Sequence, residues 1–326
     1  MPLSCCHPVS SVACGAQGGA GGFACRHFLI KDDRPNGLSH LICRKIWSLP
    51  AVWLCLVFGC AGLQTPPCNA ADLQEIVRRG TATLRSDWAA DPDYAYIERD
   101  EYQKKGRVTS KTSQVVYIAD SDYYLPIAND DQPLAPDRAK AELERLKNEV
   151  QRRNTESPEA RRERIGKYRK QRDENEALVL DFPNAFTFEL VREESMNGYP
   201  AYVLSGTPKK RTGSLTLAAK VLSGMRGTVW LDKENFHAIR VECDVMMPVP
   251  VYGILARVLP GTHIEFGMAP VTSSIWLISG LSMDLRVLKL FVFKSTQVTR
   301  STYSDYRLND QVVGELLARA GAGSTR

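Results

Sequence analysis

From His237 onward, apolar and polar side chains alternate one by one. Ile239, Val241, Cys243 and Val245 fall on one face, and Arg240, Glu242 and Asp244 on the other. A period of two marks a β-strand buried on one side. Similar runs recur at Ala185 to Val191, Tyr199 to Ser205, Gly227 to Asp232, His263 to Gly267, Ser273 to Ser279 and Leu288 to Thr302. Between them lie turn signals such as Asn197-Gly198, Asp232-Lys233-Glu234-Asn235 and Pro260-Gly261. Strands that follow one another through short turns predict an antiparallel meander. Upstream, Tyr94 to Lys104 and Val108 to Ala119, joined across Lys105-Gly106, predict a long hairpin rich in β-branched and aromatic residues. A short helix over Asp72 to Leu84 should precede it and pack at one end of the sheet.

Between hairpin and meander, Leu134 to Leu180 is dominated by Lys, Arg and Glu. Ala139, Leu143, Leu146 and Val150 recur at helical spacing from a start near Pro136-Asp137. Ser157-Pro158 offers an N-cap followed by proline at the first helical position. Two helices, or one broken helix, are predicted. The apolar stripe ends after Ile165 and Tyr168, so most of the second helix should be solvated. Arg161, Arg162, Arg164, Lys167, Arg169, Lys170 and Arg172 offer a basic face to anionic lipid or an acidic partner, but Glu159, Glu163, Asp173, Glu174 and Glu176 dilute it. That mixture argues against a nucleic-acid-binding arm.

Further upstream the pattern changes again. An apolar run from Ile46 to Leu63 follows Arg44 and Lys45 and leads to Cys68-Asn69-Ala70. A basic flank, a short apolar core and a small-x-small site describe a signal peptide over residues 46–70, cleaved near Ala70. Ser48 and Pro50 break the run, which makes it a poor membrane span. Residues 1–45 are glycine-rich and aperiodic and predict a disordered extension, with the translation start nearer Leu41. Leu56-Val57-Phe58-Gly59-Cys60 resembles a lipobox, so anchoring through a lipidated Cys60 is an alternative, although Phe58 departs from the small residue usual there. The expected location is periplasmic or secreted, and membrane association peripheral at most.

Eight of the nine cysteines precede the proposed cleavage site, which leaves Cys243 alone in the mature chain and allows no disulfide within it. After Ala70 the chain has 37 basic and 35 acidic residues, a net charge of +2 that selects no partner class. Residues 71–326 are read as one domain.

Chemistry is sparse. Only His237 and His263 follow Ala70, and HExxH, CxxC and GxSxG are absent. The Gly206 to Ser214 loop has Ser214 where a Walker A lysine would stand. Cys243 alternates with aliphatic residues as a small core residue would. Asp130-Asp131 and Glu193-Glu194 read as solvated turn pairs. No catalytic residue, metal site or cofactor is expected, and the chain reads as a non-enzyme.

Apolar stretches carry more. Met246 to Leu259 is an extended hydrophobic passage broken by prolines, and Leu285 to Phe293 is apolar on both strand faces, which predicts that both are covered. A helix over Ser214 to Met225 could close a plain core or partly plug a greasy cavity.

Gly227-Thr228-Val229-Trp230-Leu231-Asp232 feeding the His237 strand resembles the outer-membrane lipoprotein carrier and sorting, or LolA-like, superfamily. Ser274-Ile275-Trp276-Leu277, the closing strand to Tyr306 and the Tyr94-x-Tyr96 opening are similar to it as well. The resemblance implies a mainly β (α+β) fold, an incomplete antiparallel β-barrel wrapped around helix, here with a charged helical insertion at 134–180. It also implies lipid or lipoprotein carriage. Phe186, Phe188, Trp230, Val241 and Trp276 are the expected ligand-binding interior, holding a lipid or acylated peptide. The alternative is an envelope sensor or scaffold that binds another protein through an exposed Ala139, Leu143, Leu146 and Val150 stripe.

Overall fold

The structure is a computed structural model that describes residues 70–322, apart from 105, 181, 210–221, 251–255 and 291. The proposed signal region, Cys60 and the Ser214 to Val221 part of the expected plugging helix lie outside the described residues.

Helix α1 (Ala70–Ala90) and a short 3-10 turn lead into β1 (Tyr94–Lys104), β2 (Arg107–Ile118), β3 (Ser121–Asn129) and β4 (Gln132–Pro133). Helices α2 (Pro136–Thr155), α3 (Pro158–Leu180) and the short α4 (Phe182–Ala185) follow. The meander then runs through β5 (Phe186–Met196), β6 (Tyr199–Pro208), β7 (Met225–Asp232), β8 (Ala238–Val245), β9 (Val249–Pro250) and β10 (Ala256–Val258). It continues with β11 (His263–Pro270), β12 (Trp276–Lys289) and β13 (Phe293–Leu308) and ends in α5 (Asn309–Ala322). α1 is longer than the expected Asp72 to Leu84. The Ser273 to Ser279 run enters β12 only at Trp276, and the expected strand over Leu288 to Thr302 is divided between the end of β12 and β13.

Among the described residues the strands form one antiparallel sheet in the order β4-β3-β2-β1-β13-β12-β11-β8-β7-β6-β5, with β9 and β10 beside β12. The ends of this order do not pair, so the barrel is incomplete. The long β1–β13 pairing, Tyr94 opposite Leu308 through Gln103 opposite Val298, joins the first hairpin to the end of the meander. Tight turns set the registers: Ala119-Asp120, Asp130-Asp131 and Asn197-Gly198 all take positive φ, as two-residue hairpin turns require.

The concave face carries the main core. Tyr96, Val115, Phe186, Met225, Cys243 and Met283 belong to it, together with buried residues of β10 and β11. α1 lies over the β6–β8 part of this face and packs Ile76, Leu73 and Val77 against Leu204, Val229 and Leu231. Gly80 permits that approach, since a Cβ there would stand 2.9 Å from Leu231 Cδ1.

The helical insertion divides its work. α2 packs Leu146, Leu143 and Val150, with Val312 and Leu316 of α5, onto Val116, Ile118 and Leu125 of the opposite sheet face. Leu146 is fully buried. The stripe is therefore not an exposed docking surface, because α5, which the sequence analysis did not anticipate, completes its cover. Arg153 is buried as well: its Nη1 donates to Ile118 O and Ser121 O, both at 2.9 Å, and clamps the β2–β3 turn. α3 is largely solvated, as expected. It is tied to the β2–β3 turn by Arg164, which donates to Ala119 O, and to α1 by Arg172, which donates to Trp88 O. Because α3 then leads through α4 into β5, it straps the open side between the two sheet edges.

One expectation about coverage fails. Leu285 and Val287 are buried, but Leu290, Val292 and Phe293 are exposed. The β12–β13 register ends at Lys289 opposite Phe293, so Leu290 and Val292 fall at a hairpin apex that no strand pairs with among the described residues.

Candidate functional site: the concave face of the half-barrel

Strand alternation decides which side chains face inward. In β8, Val241, Cys243 and Val245 point to the concave core, while Arg240, Glu242 and Asp244 point away. Phe186 is buried in that core, 6.3 Å from the Phe188 ring. Phe188 and Val241 are half-buried and touch both the main core and the layer beneath α1. Phe266 and Met268 of β11 are half-buried at the same core.

Across the barrel, the wall made by β1, β2, β3 and β13 is rich in tyrosine. Tyr96 is buried between Tyr303, at 5.9 Å, and Tyr306, at 5.3 Å between ring centroids. The Tyr306 hydroxyl donates to Ile278 O at 2.6 Å, and the Tyr117 hydroxyl donates to Asp91 Oδ2 at 2.9 Å. Buried tyrosines keep an apolar body in the core only where the hydroxyl finds a partner, as both do here. Asp91 also accepts from Arg172 Nη1 at 3.2 Å, which brings α3 to the same place. Burial pushes the Asp91 carboxyl up to about 6, against the pull of Arg172 and Tyr117.

Trp230 and Trp276, expected beside the phenylalanines, belong to a different cluster with Ala201, Val203 and Ile239. Trp230 Nε1 donates to Glu194 at 2.6 Å, and the Arg240 guanidinium lies 5.7 Å over its ring. Trp276 stacks on His237 at 5.2 Å and meets Tyr199 edge-on at 4.8 Å. The five residues therefore separate into Phe186, Phe188 and Val241 on the concave face and the two tryptophans in their own cluster. In β7, Val229 and Leu231 pack beneath α1, so ordinary strand alternation turns Trp230 between them to the other face of the sheet.

The polar groups have structural settings. His237 Nδ1 sits 2.8 Å from Asp87 Oδ2, both side chains are buried, and the imidazole is covered by Trp276. A histidine and carboxylate so enclosed hold α1 to the sheet. Glu193 and Glu194 lie in β5 rather than in a turn; Glu193 pairs with Lys233 and Glu194 with Arg192. Asp131 pairs with Arg99, which holds its carboxyl down at about 2. Burial pushes the Cys243 thiol up to about 12, so it is inert at neutral pH.

Glu242, His263 and Glu265 bring potential metal-ligand atoms within 4.8 Å of one another. Arg240 Nη2, 2.6 Å from Glu242 and 2.9 Å from Glu265, already supplies the positive charge between those carboxylates. His263 pairs with Asp244 at 2.8 Å. This group is read as an ion-pair network on the outer face of the sheet.

No family model matches the sequence, and no curated protein matches it. Solved structures do. A LolA superfamily protein from Nitrosomonas europaea matches at 12% identity over 74% of this chain and 96% of its own, with a TM-score of 0.31. The chain is similar to LolA superfamily structures. An outer membrane lipoprotein-sorting protein domain from Vibrio parahaemolyticus matches at 15% identity over 73% of this chain and 99% of its own, with a TM-score of 0.29. The Mycobacterium tuberculosis lipoprotein LppX matches at 10% identity over 70% and 95%, with a TM-score of 0.24. No helix among the described residues is long and apolar enough to cross a membrane.

Proposed function

We propose that this is an exported, non-enzymatic binding protein that holds a lipid or the acyl chains of a lipoprotein against the concave face of its half-barrel. The supporting observation is the half-buried set Phe188, Val241 and Met268, placed where the main core meets the layer under α1, with Phe266 of the main core opposite Val241. Side chains in that position can part to admit an acyl chain, because α1 is a separate element laid over the sheet and not part of its hydrogen-bonded ladder. Apolar walls with few polar groups are what hydrocarbon requires. The strap formed by α3 closes the open side from strand to strand and would retain such a ligand.

Native mass spectrometry of the protein purified without detergent, with extraction of whatever travels with it, tests this reading. A stoichiometric lipid or acylated peptide is the expected result. A clean apo mass that stays unchanged when phospholipid is added would overturn it.

A further inference from the structure

One end of the half-barrel combines exposed apolar side chains with flanking lysines. At the β12–β13 apex, Leu290 is 55% exposed, Val292 70% and Phe293 64%. Met246 and Met247, where the chain leaves β8, are 51% and 58% exposed. The pairings place these residues together: Ala256 of β10 lies opposite Lys289, and β9 pairs with β10 through Val249 and Val258. The hairpin also projects. Among the described residues β1 pairs with β13 only as far as Val298, so Phe293 lies about 17 Å along β13 from its last β1 partner.

The charges of the apex hairpin itself have one sign. Lys289 and Lys294 flank the apex, Arg257 stands on the neighbouring β10, and Arg107 opens the adjacent β2. No acidic residue occurs in Leu285 to Val298, the stretch of sequence that contains the apex. The first acidic groups met along the paired strands are Asp284 of β12, opposite Val298, and Asp244 of β8, which pairs with His263.

We propose that this end docks on an anionic phospholipid bilayer, with Leu290, Val292 and Phe293 entering the interface and Lys289 and Lys294 reaching the lipid phosphates. An apolar tip between two lysines fits the amphiphilic boundary of a bilayer: the rings and aliphatics leave water while the ammonium groups stay at headgroup level. Large exposed apolar groups on an otherwise charged surface mark an interaction site, and the uniform positive charge selects an anionic one. Contact of this size is reversible, since a few side chains anchor far less strongly than a spanning helix. The docking end goes beyond the ligand-holding reading and does not depend on it, because it involves the barrel end and not the interior beneath α1.

The test is sedimentation of the full chain with vesicles of phosphatidylcholine alone and of phosphatidylcholine with phosphatidylglycerol, combined with hydrogen exchange read on the same samples. Binding should appear on the anionic vesicles, with new protection over residues 289–294. K289Q/K294Q should weaken it about 30-fold, since each lysine near an anionic surface contributes about fivefold. V292D/F293D should abolish the local protection while leaving the circular dichroism of the protein and any co-purified ligand unchanged, because both side chains are solvent-exposed in the fold. Equal binding to neutral vesicles, protection confined to other segments such as the apolar run at 46–63, or binding untouched by V292D/F293D would each overturn the proposal. So would an absence of vesicle binding, which would leave the tip to a protein partner.

Discussion

Asp87 Oδ2 lies 2.8 Å from His237 Nδ1, and the two side chains are almost wholly buried. The other oxygen of Asp87 accepts the backbone N–H of Trp276 at 3.0 Å. One carboxylate near the end of α1 thus fixes the helix to the turn before β8 and to the start of β12, 150 and 189 residues away in sequence.

Removing that carboxylate strands two buried donors. Asp87→Ala should cost about 2–5 kcal/mol of folding stability, measured by urea titration. Asp87→Asn, which keeps one acceptor, should cost less. Equal stability of Asp87→Ala and the parent would show that α1 is held by its apolar face alone.

Asp91 should give the protein an unusual response to pH. Its folded-state pKa, about 6, lies above the ordinary 3.8. For a carboxyl raised in this way the contribution to stability is fully present below about pH 4 and is lost as pH rises through about 6. Asp91→Asn should therefore flatten the melting temperature between these limits. A profile that keeps the same slope in the variant would assign the titration elsewhere.

Arg153 and Arg161 are both arginines of the helical insertion in ion pairs, yet they should differ sharply. Arg153 is 7% exposed and serves the carbonyls of Ile118, Ser121 and Asp122, whereas Arg161 pairs with Asp120 in solvent. Arg153→Ala should destabilise by about 2–4 kcal/mol, and Arg153→Lys should recover only part of this because it lacks the planar fork. Arg161→Ala should change the denaturation midpoint little.

Ligand holding and core stability should separate by residue. Phe188→Ser and Val241→Ser, at half-buried positions, should reduce the lipid recovered with the protein while the fold persists. Trp276→Ala removes a ring packed between His237 and Tyr199 and should cost about 3–5 kcal/mol. The readouts are lipid per protein by mass spectrometry and unfolding by denaturant. Full lipid recovery in the Phe188 and Val241 variants would move the ligand away from the concave face.

Local signals determined much of this protein. Alternation alone located the strand carrying Val241, Cys243 and Val245. Pro136 and Ser157-Pro158 marked where both insertion helices begin, since helix starts depend on neighbouring residues only. The strand Ser121–Asn129 escaped notice because Pro126 interrupts its pattern; it is tolerated there opposite a bulge at Thr112/Ser113, near the sheet edge. α5 escaped as well, although Val312, Leu316 and Ala320 repeat at helical spacing and are buried. What covers a surface is not local. Leu146 stands in a stretch dominated by charge and Phe293 in an apolar one, yet α5 and the sheet enclose the first, while the second sits in the last strand pair beside the hairpin apex. The chain's own order sets which residues can be strand or helix; the packing of distant elements decides which apolar faces become core and which are left for a partner.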